Sequence, residues 1–320
     1  MLAGYQTLQL HTDHRPMTNH RTEPPYCGRF APSPTGPLHF GSLVAAVASY
    51  LDARSRGGRW LLRMEDLDKP REQPGAADAI LRTLDRFALH WDGPVLYQSQ
   101  RAEAYAAALE RLRATEQSFP CSCTRREIAD SALPGPLGPL YPGTCRGGIG
   151  SEQPARAERV RVDAQVIRFA DRLQPPVRQN LATEVGDFVV SRADGIVAYQ
   201  LAVVVDDADQ GITDVVRGSD LLLSTPRQIY LQTLLGYATP RYLHLPVAVN
   251  SAGEKLSKQT YATAVDDLPW PDVAHAALAF LGQVQPDLPD RSDLAAFWSA
   301  AAAAWDPHRI PEMQVLVTRF

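Results

Sequence analysis

The stretch GRFAPSPTGPLHFGS, from Gly28 to Ser42, decides how the rest of the chain reads. A run with strand character, Tyr26 to Ala31, enters a turn built from Pro32, Ser33, Pro34, Thr35, Gly36 and Pro37. The chain leaves through His39, Phe40, Gly41 and Ser42 into an apolar-periodic run, Leu43 to Ala53, whose spacing predicts a helix. A strand feeding a helix through a tight turn aims the helix's unpaired N–H groups, with their partial positive charge, at whatever lies over the strand's end. Phosphate is the usual guest there. Taken alone, the stretch could also be an ordinary βα turn, the lesser of the two readings.

Working outward, Trp60 to Asp66 (WLLRMED) is an apolar run that ends in charges, as a buried strand does when its carboxyl end reaches a ligand cleft. Glu65 at that end is placed either to pair with a substrate ammonium or to sit as a solvated loop acid. Helical spacing follows over Gly75 to Leu89 and Arg101 to Gln117, separated by a Trp91-Asp92-Gly93-Pro94 turn. Strand and helix in alternation predict an α/β fold with a parallel, doubly wound sheet.

From Asp187 the pattern becomes β-rich. Asp194-Gly195 reads as a hairpin turn, and the apolar run Leu201 to Val205, preceded by Tyr199 and Gln200 and closed by Asp206 and Asp207, reads as a strand. Arg217 precedes a helical stretch, Leu221 to Leu235. At such a strand edge an arginine can form a bidentate pair with a carboxylate, or an ordinary structural salt bridge. His244, Leu245 and Pro246 open a further strand that leads to the loop Gly253 to Gln259. Helical runs at Val273 to Leu281 and Leu294 to Trp305 complete the chain.

The segment Phe119 to Arg146 departs from this alternation. It holds Cys121, Cys123 and Cys145 around a Pro/Gly-rich loop, which suits a small inserted subdomain. Three thiolates can share one zinc, although Cys-x-Cys is tighter than the usual spacing; buried, metal-free cysteines are the alternative. No histidine lies between His90 and His244, so a local fourth ligand would be Tyr141, a carboxylate or water. Cys27 reads as a small core residue.

With 320 residues, 45% of them hydrophobic and 21% charged, the chain can bury a sizeable core as one large α/β domain with a smaller appendage. No apolar run approaches the roughly 20 residues that span a bilayer. The net charge of −4 gives no global signature of nucleic-acid binding. Arg125, Arg126, Arg146, Arg156, Arg159, Arg161 and Arg168 nevertheless crowd one region, as either a solvated face or a phosphate-tracking surface. Four cysteines are too few for a disulfide scaffold and point to a reducing compartment. Residues 1–25 lack the apolar core of a signal peptide and read as a disordered leader.

PSPTGPLHFGS resembles the first signature of class I aminoacyl-tRNA synthetases, written H-I-G-H, in the form used by the glutamyl branch. Lys255, Leu256, Ser257, Lys258 and Gln259 resemble the second, K-M-S-K-S. Ser42 stands where the last histidine of the first signature would be, and Leu256 and Gln259 replace Met and Ser of the second. The resemblance to glutamyl-tRNA synthetases covers roughly Gly28 to Gln259 and stops where those enzymes begin an anticodon-binding domain. With Cys-x-Cys ahead of Tyr and Cys, the chain looks like the glutamyl-queuosine tRNA(Asp) synthetase family.

That resemblance implies a Rossmann-like catalytic domain in two halves, 26–118 and 187–260. An inserted zinc subdomain at 119–186 separates them, and a short helical region at 261–320 follows. It makes Arg29, Ala31, Ser33, Glu65, Tyr199 and Arg217 the glutamate pocket. Pro32, His39, Gly41, Ser42, Lys255, Ser257 and Lys258 become the ATP site, with His39 and Lys258 catalytic. Cys121, Cys123, Tyr141 and Cys145 become ligands of one Zn²⁺. It implies ATP with Mg²⁺ as substrate and tRNA-independent activation of L-glutamate. Transfer would go to the queuosine base at the wobble position of tRNA(Asp), met through its anticodon loop. A cytoplasmic monomer with no membrane partner is expected. The alternatives are a shortened glutamyl-tRNA synthetase charging a 3′ end and an inactive RNA-binding paralogue.

Overall fold

The computed structural model describes residues 24–131, 134–135, 138–150, 153–256, 264–287 and 293–318. The decisive stretch forms β1 (Cys27–Phe30), a turn, and α1 (Phe40–Arg54). Gly36 sits in that turn at φ 135°, a region that disfavours any residue with a Cβ. His39 caps α1, its Nδ1 accepting from the Ser42 backbone N–H at 3.3 Å. Rich in Ala, Leu and Val, α1 buries Leu43, Val47 and Leu51 in the main core beside Trp60 and Trp298.

β2 (Arg59–Met64) follows, then α2 (Ala76–Arg86), β3 (Leu96–Tyr97) and α3 (Ala102–Ala114). β1 pairs β2 in parallel with Arg29 opposite Leu61, and β2 pairs β3 in parallel with Arg63 opposite Leu96. After a more irregular middle, α6 (Tyr199–Asp209), β11 (Asp214–Gly218), α7 (Thr225–Leu235) and β12 (Arg241–Leu245) add a second parallel ladder. β11 and β12 are parallel with Arg217 opposite His244. β11 lies beside β1, tied by the Thr213 N–H donating to the Cys27 carbonyl at 2.9 Å. Two parallel ladders, β12-β11 and β1-β2-β3, thus lie edge to edge with β11 beside β1, the doubly wound parallel arrangement expected. The chain winds outward in both directions from the β1–β11 border, where such sheets open a crevice at their carboxyl ends.

The middle of the chain is antiparallel. β4 (Ser118–Cys121) and β10 (Val189–Ser191) flank β7 (Ala157–Val160). The helix α4 (Arg125–Ser131) and two short strands, β5 (Pro134–Gly135) and β6 (Gly138–Pro139), lie within this stretch. β8 (Val166–Phe169) and β9 (Val177–Asn180) form a hairpin that leads through a one-turn helix, α5 (Leu181–Glu184), to β10. Phe119, Cys121, Tyr141 and Cys145 make a small apolar cluster of their own.

β13 (Val247–Val249) pairs in parallel with β14 (Val315–Val317), and α8 (Trp270–Phe280) and α9 (Leu294–Ala303) pack on α1. The Trp298 indole donates to the Phe87 carbonyl at 2.6 Å. A single buried carboxylate, Asp52 on α1, gathers three distant parts of the chain. It accepts from the Tyr26 hydroxyl at 2.7 Å, from both terminal nitrogens of Arg172 at 2.6 and 2.8 Å, and from the Trp305 indole at 3.1 Å. Burial raises the Asp52 pKa, but these donors outweigh it and leave the value below the ordinary one.

Two expectations are corrected. Leu201 to Val205 is not a strand but the centre of α6, buried on every side. A short apolar run enclosed by protein carries no periodicity to tell the two apart. His244 does not open a strand either; it lies near the end of β12, which starts at Arg241, and Pro246 separates β12 from β13. Pro has no N–H to continue the ladder there. Cys27 is a core residue as read.

Candidate active site

At the carboxyl ends of β1, β2 and β11 the sheet presents a cluster of buried ions. Arg29, one residue before the end of β1, donates from Nε to Asp207 Oδ1 at 3.1 Å. Arg63 on β2 reaches the same oxygen from Nη2 at 2.7 Å. Asp207 comes from α6, so the helix misread as a strand supplies the carboxylate that holds two arginines together. Burial raises the Asp207 pKa, but Arg29 and Arg63 bring it below the usual carboxylate range.

Glu65 follows β2 directly, and its N–H donates to the Pro32 carbonyl at 2.9 Å, locking it to the turn after β1. Its carboxylate lies 3.6 Å from Arg63 Nε, outside hydrogen-bond range, and that nitrogen has no hydrogen-bond partner. Burial pushes the Glu65 carboxyl up to about 7; the charges of Arg63 and Arg29 pull it down only in part. It is a carboxylate placed to receive a cation.

Tyr199, the first residue of α6, keeps 36% of its surface open. Its phenol is pushed up to about 12 by burial and by the charge of Glu65, with Arg217 and Arg29 pulling the other way. These four residues thus share one electrostatic neighbourhood. Arg217, on β11, is buried. Its Nε donates to His244 Nε2 at 3.1 Å, and its Nη2 to Thr225 Oγ1 and Gln228 Oε1, both at 2.8 Å. Nη1 is buried with no partner. A guanidinium fixed on one side with donors left bare on the other is a ready receptor for a carboxylate.

Next to this cluster lies a cavity of about 650 Å³. Ala31, Pro32, Ser33, His39, Gly41 and Ser42 form one wall, and Gly218, Asp220, Lys255 and Leu256 face them. At Gly41 a Cβ would stand 3.4 Å from the His39 ring, so the small residue leaves room between helix terminus and imidazole. At Gly218 a Cβ would lie 2.5 Å from Asp220 Oδ1, so the Asp220 side chain would have to swing away from it. Lys255 donates to Asp220 Oδ2 at 2.6 Å. Ser257 and Lys258 lie outside the described residues. On either side of them, Leu256 borders the cavity and Ala264 bridges to His39.

A second cluster lies in the middle region. Cys121, Cys123 and Cys145 hold their sulfurs within 4.8 Å of one another. The Tyr141 hydroxyl is 3.5 Å from Cys121 Sγ and 3.8 Å from Cys123 Sγ. Sulfurs around a tetrahedral zinc stand about 3.8 Å apart, given a metal–sulfur bond of about 2.3 Å, so the donor set fits one ion. Burial raises the Cys145 thiol, but the Tyr141 hydroxyl and Ser122 more than reverse this, to about 6. Burial and the Cys145 sulfur push Cys123 up to about 11. Of the clustered arginines, Arg159 is buried, its guanidinium 3.9 Å from the Tyr141 ring centroid and its Nε donating to Cys121 Sγ. Arg161 stacks on Phe119, whereas Arg156 and Arg168 remain exposed.

Sequence reading passed over Arg63, Asp171, His244 and Asp220. Arg63 left a signal: a charge inside the apolar run WLLRM requires a buried partner. Asp171 left none.

The profile of tRNA synthetases class I (E and Q), catalytic domain, matches residues 27–282. The chain belongs to this family. Curated relatives of this class I synthetase include the glutamyl-Q tRNA(Asp) synthetase of Aromatoleum aromaticum, 60% identical over 90% of this chain and 91% of the relative. That of Dechloromonas aromatica is 60% identical over 92% of this chain and 98% of the relative. Among solved structures, the glutamate-tRNA synthetase of Elizabethkingia anophelis superposes with a TM-score of 0.76 at 23% identity, over 91% of this chain and 67% of the other. At that identity the likeness speaks for the synthetase fold alone.

Proposed function

We propose that this synthetase activates L-glutamate with ATP, without tRNA, and transfers it to the queuosine base of tRNA(Asp). The observation that carries the reading is the charge set at the sheet edge. Bare Arg217 Nη1, Arg29 and a carboxylate raised to about 7 match a ligand with two carboxylates and an ammonium. The nucleotide-sized cavity beside them and the names of the 60%-identical relatives agree with it.

In the first step a carboxylate oxygen of glutamate attacks the α-phosphorus of ATP and pyrophosphate departs. Two anions must meet while charge grows on the leaving group, so the chain's contribution is positioning and electrostatic stabilisation. Arg29, Arg217 and Glu65 hold the amino acid, with Tyr199, Ala31 and Ser33 closing its pocket. Pro32, His39, Gly41 and Ser42 hold the phosphates from one side, and Lys255, Ser257 and Lys258 from the other. In the second step a hydroxyl of the queuosine ring attacks the acyl carbon and AMP leaves. Mg²⁺ accompanies the ATP.

Residues 26–118 and 187–260 carry this chemistry, and 119–186 forms the inserted unit, whose Cys121, Cys123, Tyr141 and Cys145 hold one Zn²⁺ that fixes the surrounding loops. The reaction takes place in the cytoplasm, where ATP, glutamate and tRNA coexist. Among the described residues no helix is long and apolar enough to cross a membrane.

Glutamate-dependent ATP–pyrophosphate exchange tests the first step. The parental chain should exchange without tRNA, and Lys258→Ala should abolish exchange while the fold persists. Exchange by that variant at the parental rate would refute the ATP assignment. Digesting charged tRNA with nuclease should locate labelled glutamate in the anticodon; label on the 3′ adenosine would refute the transfer assignment.

A further inference from the structure

The loop between β8 and β9 runs beside β12, with Asp171 bridged to Tyr242. Asp171 and the His244 ring are fully buried. One carboxylate oxygen, Asp171 Oδ1, accepts three backbone N–H groups, from Leu173 at 3.0 Å, Gln174 at 2.9 Å and His244 at 3.2 Å. The other, Oδ2, lies 2.6 Å from His244 Nδ1. Across the ring, Nε2 faces Arg217 Nε at 3.1 Å.

A guanidinium Nε always carries hydrogen, so His244 Nε2 must be bare to accept it, and the ring proton must be on Nδ1, donated to Asp171. Thr225 Oγ1, also 3.1 Å from Nε2, and Gln228 take the Nη2 hydrogens of Arg217. Three of the five guanidinium N–H groups are thereby engaged, and both that remain are on Nη1. Tyr242, stacked 5.9 Å from the His244 ring, closes the assembly beneath Arg217.

We propose that Asp171 and His244 are positioning residues: the carboxylate fixes the imidazole as the Nδ1–H tautomer, which anchors Arg217 at Nε and leaves Nη1 for a carboxylate of the substrate. This rests on Arg217 being a glutamate-binding residue. Burial lowers the His244 pKa to about 4; the Asp171 hydrogen bond opposes this and the Arg217 charge reinforces it, so the ring stays neutral around pH 7.

Asp171→Asn tests the arrangement. Asn keeps an oxygen for the three backbone N–H groups, which turns its amide nitrogen toward Nδ1. The ring proton then moves to Nε2 and confronts the Arg217 N–H. The KM for glutamate in pyrophosphate exchange should rise about tenfold or more, through the wrong tautomer, while the KM for ATP and the thermal midpoint stay near parental. His244→Phe should behave likewise, and His244→Gln, whose Oε1 can accept from Nε, should lose less. In the unmodified enzyme, ¹⁵N NMR of labelled histidine should show His244 protonated at Nδ1, a readout that needs no variant to fold. Parental glutamate KM in Asp171→Asn and His244→Phe, an equal rise in both KM values, or an Nε2–H tautomer would each overturn the proposal. Parental glutamate KM in Arg217→Ala would instead overturn the reading of Arg217 itself.

Discussion

The two ends of the candidate site are built differently. At the proposed amino-acid end, Arg29, Arg63 and Arg217 are buried and each is already tied to a buried or half-buried protein partner, with Asp207 between two of them. At the proposed nucleotide end, Lys255 is exposed and pairs with a likewise exposed Asp220. Buried charges demand fixed partners, so the first end is assembled before substrate arrives. Exposed charges are hydrated and cheap to move, so the second can take shape around its ligand.

The largest effect that sharpens this contrast is expected from Arg29→Ala. It leaves Asp207 buried with one partner fewer and removes a proposed substrate contact. Losing one partner of a buried charge pair costs about 2–5 kcal/mol, so exchange at subsaturating glutamate should fall by about 30-fold or more.

Glu65→Gln comes next. Its carboxyl, held up to about 7, must ionise to receive an ammonium, so the parental KM for glutamate should fall as pH rises between about 6 and 8. The sign for folding is opposite: a raised carboxyl pKa makes this group's contribution to stability of the free protein decline as pH rises toward about 7. Glu65→Gln should raise the glutamate KM and flatten its pH profile; an unchanged slope would assign the titration elsewhere.

A smaller effect on exchange should follow from Cys145→Ser or a zinc chelator. Both should lower bound metal and transfer to tRNA while leaving glutamate-dependent exchange largely intact, because the thiol cluster lies outside the ionic cleft.

Lys255→Ala should be mildest. Exposed ion pairs are worth about 0–1 kcal/mol, so the KM for ATP should rise no more than about fivefold. A loss as deep as that of Arg29→Ala would erase the difference between the two ends.

How much of this was legible in the sequence follows the same division. Turn, helix and strand end around Gly28 to Ser42 were readable because Pro and Gly act locally and apolar spacing marks the helix. Glu65 and Arg217 were readable as charges closing apolar runs. The helix over Tyr199–Asp209 was not, since enclosure by neighbours removes the polar face that marks a helical period, and its loss hid Asp207 as the partner of Arg29. Asp171 was hidden for another reason. It lies 73 residues from His244, and nothing near it in the chain records that the two will touch. For Tyr141, the absence of a nearby histidine left it open beside a carboxylate or water, and its hydroxyl stands 3.5 Å from Cys121 Sγ.

The Asp52 carboxylate fastens the segment entering β1, the strap that carries Arg172, and Trp305 near the far end of the chain. Removing Arg172 would strand a negative charge in a dry interior, which costs about 3–5 kcal/mol, whereas losing the Tyr26 hydroxyl or the Trp305 indole would cost about 1–3 kcal/mol. Heating should accordingly melt β1, the strap and the last helices together in one calorimetric peak, and cutting the chain after Gly282 should weaken the strap and β1 some distance from the cut.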